Sequence, residues 1–388
     1  MKKFDIVISG GGMIGSIAAV AATVAGFSVL LIESNRIKNL KKSSPRDLRV
    51  SAISWANICT LKKLNIFNNL LIDRIQEYTA MNVWDNRSKA HIDFETDFSQ
   101  QQCLGYLIEN VNLVQAAWEQ LHNHGHCETL QESTIKQIEN EGSQVRIELH
   151  NGSLYKTRLL IAAEGRNSSI RQMVDIKCQQ KNYFQKGLVA YIKLEKAPKQ
   201  TALQAFNNGG PIGILPISDG MFSIVWSLPE QSCNHWLNCD KNEFEQGVKS
   251  AIGKDFGAVE LISERAAFPL SQLNAKHYFK HRVVLVGDSA HGVHPLAGQG
   301  VNLGIEDIGL LFHVLNMQAL KDGDVLNLAL RKYQRRRISK VTETSEMMSM
   351  LHHLFKDDAH IKKPLRSLGL KLLNNSPIKK WFIQQAGS

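Results

Sequence analysis

Three glycines set the terms for this chain. Gly10, Gly12 and Gly15 follow Phe4–Ser9 at the spacing G-x-G-x-x-G and lead into a run of small residues ending at Ala25. Spacing and flanks predict a buried strand, a tight turn, a helix and a second strand over Ser28–Ile32. Gly10 permits the turn, Gly12 lets the backbone approach a pyrophosphate, and Gly15 lets the helix pack closely on the strand. Together with Met13 and Ile14 they are expected to cradle a dinucleotide, because the helix start offers unpaired N–H groups and a positive dipole end to phosphates. Glu33 closes the second strand 18 residues beyond Gly15. A carboxylate there bonds ribose hydroxyls and repels a 2′-phosphate, so FAD or NAD is expected rather than NADP. No second G-x-G-x-x-G occurs, and one tightly held nucleotide is the expectation.

Other readings of this segment are weaker. Met1-Lys2-Lys3 before an apolar stretch resembles a secretory leader, and Ser16–Ile32 approaches membrane-spanning length. Asp5, Gly10–Gly12 and Gly26 interrupt both patterns and suit the strand–turn–helix–strand instead. At 388 residues and 43% hydrophobic, the chain can bury a large core in two domains, or in one domain with a smaller attachment. Its net charge of +10 is uneven: residues 331–388 hold 13 basic and 4 acidic side chains, leaving about +1 for the first 330. A nucleic-acid binder would carry the excess on its globular body, so nucleic acid is not an expected partner. Six scattered cysteines without a Cys-x-x-Cys pair read as reduced thiols of a cytoplasmic protein. Neither Cys233/His235/Cys239 nor His122/His124/His126 has zinc spacing, and no metal is expected.

Two later segments narrow the cofactor. Arg158–Arg171 reads as a strand entering a polar turn that contains Glu164-Gly165. Arg282–Gly304 reads as a strand, then Gly287-Asp288, then a loop through Pro295, Gly298, Gln299 and Gly300 into a helix that begins with Val301 and Asn302. Asp288 at a strand end can accept from ribityl hydroxyls, and the loop can aim backbone N–H groups at an electron-rich ring edge. Gly287 through Gly304 match Gly-Asp-x-Ala-His-x-x-x-Pro-x-x-Gly-Gln-Gly-x-Asn-x-Gly. With Arg49–Ala52 (Arg-Val-Ser-Ala) and Glu109–Leu113 (Glu-Asn-x-x-Leu), the chain resembles the FAD-dependent aromatic hydroxylases related to p-hydroxybenzoate hydroxylase. Within them it is most similar to the ubiquinone-biosynthesis hydroxylases, through Val83–Asp85, Ser223–Leu228 and Leu368–Leu372, and nearest the 2-polyprenylphenol hydroxylase branch.

The resemblance implies an α/β architecture: a Rossmann-like FAD-binding domain interleaved with a β-sheet substrate domain, plus carboxy-terminal helices. The FAD-binding part is expected in residues 1–78, 103–178 and 276–335, the substrate part in 79–102 and 179–275, and a basic helical tail in 336–388. Arg49, Asn110, Glu164, Gly287 and Asp288 join the cofactor site, and backbone at Gly300 and Val301 faces the flavin ring. NAD(P)H and O2 are implied as reductant and co-substrate, and a flavin hydroperoxide as the oxidant. The implied substrate is a lipophilic polyprenylated phenol, with a sister reaction at another ring carbon as the alternative. A non-catalytic FAD-binding scaffold and a reductase or halogenase on the same scaffold are the rivals. No Trp-x-Trp-x-Ile-Pro motif of halogenases is present.

Four side-chain expectations remain. Glu164 stands where the family has Asp, which puts the docking of NAD(P)H in question. His294, and behind it His291, could act as a base toward a phenol, although a supporting role is the plainer reading. Trp84 and Trp226 are expected to pack rather than touch substrate. In the tail, Ile361, Leu365, Leu368 and Leu372 share a helical face opposite Lys362, Lys363 and Arg366, with Trp381 and Phe382 beyond. That pattern suits the anionic inner face of a membrane or a partner in the biosynthetic complex.

Overall fold

The computed structural model describes residues 1–88, 91–96, 102–207, 209–292 and 299–356. His294, Pro295, Gly298 and the tail beyond Lys356 lie outside them.

The amino-terminal pattern folds as its periodicity dictates. Lys2–Ser9 and Val29–Ile32 pair in parallel, joined by the helix Met13–Val24. Both strands are apolar on consecutive residues, which suits a parallel sheet covered on two faces. Lys2–Ser9 also pairs in parallel with Leu154–Ala162, which pairs in parallel with Val283–Leu285, while Val29–Ile32 pairs with Cys127–Leu130. Segments distant in sequence thus build one sheet. An antiparallel ribbon, Ile135–Asn140 and Val145–Leu149, extends it from the start of Leu154–Ala162.

A second sheet runs in the order His291–Gly292, Ala266–Ala275, Cys178–Leu194, Met221–Pro229, Ile212–Pro216, Thr201–Phe206, Ala80–Asp85, His91–Glu95. Its strands alternate. Leu188, Ala190, Leu203, Ile212, Ile214, Ile224 and Trp226 turn one way, into a core closed by the helices Glu230–Asn238 and Lys241–Ile252. The intervening residues turn the other way, toward the first sheet. This parity disposes of the two tryptophans. Trp84 donates from Nε1 to the Ile252 carbonyl at 3.0 Å, and Trp226 stacks on Trp236 at 5.3 Å, both on the helix side.

Between the sheets stands a small antiparallel sheet, Val50–Ser54, Gly105–Glu109 and Ile75–Tyr78. A buried clamp fixes the loop before it. Glu109 accepts from Arg46 at 2.9 Å and from Arg74 at 2.7 Å, while Arg74 also donates to the Ser44 and Pro45 carbonyls. The helix Gln299–Val314 packs against Met13–Val24, and the long helix Gly323–Lys356 packs against both it and the short helix Met317–Lys321.

Candidate active site

A cavity of about 1190 Å³ opens between the two large sheets. Gly10, Gly12, Met13, Ile14, Glu33, Arg49, Asn110, Glu164, Asp288, Gly300, Val301 and Asn302 all line it. The sequence-predicted residues thus converge from five separate stretches of chain. Gly15 and Gly287 stand behind the lining: a Cβ on Gly15 would lie 1.7 Å from the Gly10 carbonyl oxygen, and one on Gly287 would press on Ile14 at 3.2 Å. Gln299 begins its helix, and its side chain lies outside the described residues, as do His294, Pro295 and Gly298.

The turn is held open by its geometry. Gly10 has φ +99°, which disfavours any side chain, and a Cβ there would meet the Ala163 carbonyl at 2.5 Å. A Cβ on Gly12 would meet nothing within 4 Å. Space is therefore left where the helix Met13–Val24 begins, and no side chain caps that helix end. Glu33 is positioned by the Gly11 N–H, which donates to Oε2 at 2.5 Å, and by the Asn35 N–H, which donates to Oε1 at 2.9 Å. Trp118 donates to the Gly11 carbonyl at 2.9 Å and braces the same turn. Open space at an uncapped helix start, a carboxylate at the ribose position and the Arg49 guanidinium on the wall fit the phosphates and ribose of FAD. Among the described residues Arg49 has no carboxylate partner.

Glu164 lines the cavity and is held by four donors. Ser9 and Ser169 donate to its Oε1 at 2.8 and 3.0 Å, while Ser168 and the Ile170 N–H donate to Oε2 at 2.7 and 2.9 Å. Four donors fill a carboxylate's ordinary accepting capacity. The extra methylene relative to Asp is taken up in this reach to the first strand and the helix Ser169–Met173.

Asn302 is similarly occupied. Its Oδ1 accepts from the Ser54 N–H and Asn57 at 3.0 and 2.9 Å, and its Nδ2 donates to the Ala52 carbonyl at 2.8 Å. It ties the start of the helix Gln299–Val314 to the strand carrying Ser51 and Ala52. Asn110 accepts from the Ser51 hydroxyl at 2.7 Å. Asp288 takes the Arg166 Nε at 3.2 Å, and Arg166 also donates to the Ser271 hydroxyl at 2.7 Å, joining the cofactor side to the second sheet. Arg166 escaped the sequence reading, although it stands two residues after Glu164.

His291 does not line the cavity. Its Nε2 lies 2.7 Å from Asp307 Oδ2, and Asp307 Oδ1 accepts from Arg337 Nε at 2.6 Å. Asp307 also takes the Gly287 N–H at 2.7 Å, so this fully buried carboxylate holds the Gly-Asp turn from below. Burial opposes its ionisation, but His291, Arg337 and the Gly287 N–H outweigh that and hold its pKa below the ordinary carboxylate value.

Burial pushes the thiols of Cys103 and Cys127 up to about 12, which leaves them protonated at neutral pH. No cluster of three or more metal-ligating side chains occurs among the described residues.

The FAD binding domain family matches residues 3–346. The chain is 29% identical over 377 residues to 3-demethoxyubiquinol 3-hydroxylase of Escherichia coli (strain K12), covering 97% of this chain and 96% of that protein. It is 31% identical over 432 residues to the mitochondrial ubiquinone biosynthesis monooxygenase COQ6 of Xenopus tropicalis, covering 97% and 92%. The crystal structure of pqsL, a probable FAD-dependent monooxygenase from Pseudomonas aeruginosa, superposes with a TM-score of 0.80 at 22% identity, over 95% of this chain and all of that one. That likeness carries the fold. With the dinucleotide cradle and the Gly-Asp turn meeting in one cavity, this chain belongs to the FAD binding domain family and, within it, to the ubiquinone-biosynthesis hydroxylases.

Proposed function

We propose that this chain is the monooxygenase that hydroxylates the aromatic ring of a polyprenylated phenol or benzoquinol on the route to ubiquinone. One observation carries the reading: the nucleotide cradle and an apolar wall from the second sheet share a single cavity. That wall includes Val83, Phe94, Val189, Leu215 and Phe268. FAD, when bound, supplies the activation of dioxygen for transfer of one oxygen atom to a ring, after reduction by NAD(P)H.

The chain's own residues do the holding. Glu33 takes the ribose, the start of the helix Met13–Val24 and Arg49 take the phosphates, and Asp288 takes a ribityl hydroxyl. Gly300 and Val301 belong to the first turn of their helix, whose N–H groups lack intrahelical partners and can meet negative charge on the ring edge. The apolar wall keeps water from the reacting atoms. His294 adjoins this turn in sequence and is the candidate base for the phenol proton. In this reading residues 1–78, 103–178 and 276–335 serve the cofactor, and 79–102 and 179–275 serve the substrate. The basic tail holds the enzyme at the inner face of the membrane where its substrate dissolves.

The preferred substrate is a 2-polyprenylphenol. A second assignment, a 3-demethoxyubiquinol, is favoured by the E. coli relative. Mass spectrometry of the intermediate that accumulates in a deletion strain, with turnover of that compound by purified holoprotein, NAD(P)H and oxygen, tests both. An accumulated phenol lacking the first added hydroxyl supports the former, and a demethoxy quinol the latter. An unaltered quinone pool with no turnover sinks the proposal.

A further inference from the structure

Within the apolar wall of the cavity one long polar side chain has no partner. Gln204 is 92% buried in the strand Thr201–Phe206, at 8% exposure, and lines the cavity. Leu203 and Ala205 beside it turn to the helix-covered core, so the alternation of the strand points Gln204 the other way. Among the described residues nothing hydrogen-bonds its carboxamide. Buried amides left unpaired are costly, and this one borders open space. Its cross-strand neighbour is Gly213, followed by Val225. A Cβ on Gly213 would find only the Val225 carbonyl oxygen, at 3.8 Å, so the floor beside the amide is bare backbone. A gap the width of a side chain thus sits next to a donor–acceptor group, on a wall whose other side chains from this sheet are apolar apart from Ser227.

We infer that Gln204 is the residue that orients the substrate: its carboxamide oxygen accepts the hydrogen of the ring hydroxyl while the ring lies over Gly213. The inference rests on the proposed reading of this cavity as a phenol hydroxylase site and adds the group that reads the phenol. Fixing the hydroxyl fixes which ring carbon is presented for oxygen transfer, since the apolar contacts alone leave rotation in the ring plane unspecified. Gln204 is a positioning residue; it moves no proton to or from the reacting carbon.

The test uses the full-length holoprotein with two probes, 2-geranylphenol and its methyl ether, titrated by the change in the flavin absorption spectrum. The ether keeps the ring and tail but cannot donate. In the wild type the phenol is expected to bind at least tenfold more tightly than the ether. Gln204→Leu removes the amide at similar volume and is expected to abolish that preference, weakening the phenol at least tenfold and leaving the ether within twofold. FAD content and anaerobic reduction by NAD(P)H without phenol should stay at wild-type values. In turnover the variant should give mixed hydroxylation positions and more hydrogen peroxide per reductant consumed. Gly213→Val, which suits a strand and fills the floor, should weaken both probes at least tenfold with FAD retained. Equal weakening of phenol and ether by Gln204→Leu would overturn the inference, because a purely structural role predicts it. So would an unchanged preference. If the wild type neither binds nor hydroxylates the phenol, the reading of the cavity falls first and the inference falls with it.

Discussion

Glu164 shows how one methylene changes a residue's work. Its two oxygens receive four hydrogen bonds, three of them from Ser9, Ser168 and Ser169 hydroxyls and one from the Ile170 N–H. Those partners lie on the first strand and on a helix start, so the carboxylate laces two elements beneath the cavity. Glu164→Ala strands its donors and is expected to cost about 2–3 kcal/mol, read as a fall of several degrees in the melting temperature. Glu164→Asp restores the family residue yet shortens the reach, and a smaller loss of stability is expected. Because the carboxylate has no acceptor to spare, the KM for NAD(P)H should move less than twofold in Glu164→Asp. A tenfold change would show that the acid takes part in docking the reductant. Glu33 contrasts with it. Its Oε1 is taken up by the Asn35 N–H and the Ser34 and Asn35 side chains, whereas its Oε2 accepts, among the described residues, only from the Gly11 N–H and keeps a lone pair for a ligand. Glu33→Gln should weaken FAD about 10–100-fold, the equivalent of about 1.5–3 kcal/mol for hydrogen bonds to a charged group, measured by fluorescence quenching on titrating apoprotein.

The elements differ in how far they could be read in advance. The cradle was legible because its information is local: the contact that makes Gly15 obligatory is with Gly10, five residues away. The Gly-Asp turn was legible for the same reason. What holds that turn was not, since Asp307 and Arg337 come from helices 20 and 50 residues beyond Gly287 and look like ordinary surface charges in sequence. Gln204 was also missed, because its importance depends on which face of a long sheet turns to the cavity. The helices Glu230–Asn238 and Lys241–Ile252 decide that, and they carry no site signal of their own.

The buried carboxylate gives the element scale its own prediction. Asp307→Asn leaves Arg337 and His291 without their shared anion, and breaking such a pair costs about 3–5 kcal/mol. The pH dependence follows from the depressed pKa. An acid ionised more readily when folded contributes stability above its unfolded pKa, near 3.8, and loses it as pH falls through the lower folded value. The wild type should therefore lose stability relative to Asp307→Asn as pH drops below about 4, the two denaturation curves converging. Parallel curves from pH 7 to pH 3 would show that the carboxylate is not the group being titrated.

At the scale of the whole molecule the charge falls into place. Among the described residues the last to line the cavity is Thr344, and the family match ends at residue 346. Residues 361–388 carry six basic side chains and no acidic one. Residues 361–388 thus carry +6 beyond the family match, while six further basic side chains, in residues 331–340, lie within it. No helix among the described residues is long and apolar enough to cross a membrane. In the proposed reading the basic tail is what attaches the enzyme to an anionic surface. Each basic residue near an anionic surface contributes about 1 kcal/mol, and salt screens that attraction over roughly 10 Å at 0.1 M. Deleting 361–388 should therefore leave FAD content and turnover of a water-dispersed short-chain phenol within twofold of wild type. It should abolish co-flotation with vesicles containing phosphatidylglycerol, and vesicles of phosphatidylcholine alone should recruit neither form. Raising salt to 0.5 M should detach the full chain from anionic vesicles in proportion to the charge lost. Undiminished flotation of the truncated chain would place the attachment on the folded body. Loss of turnover with the water-dispersed phenol would show instead that the tail completes the active site.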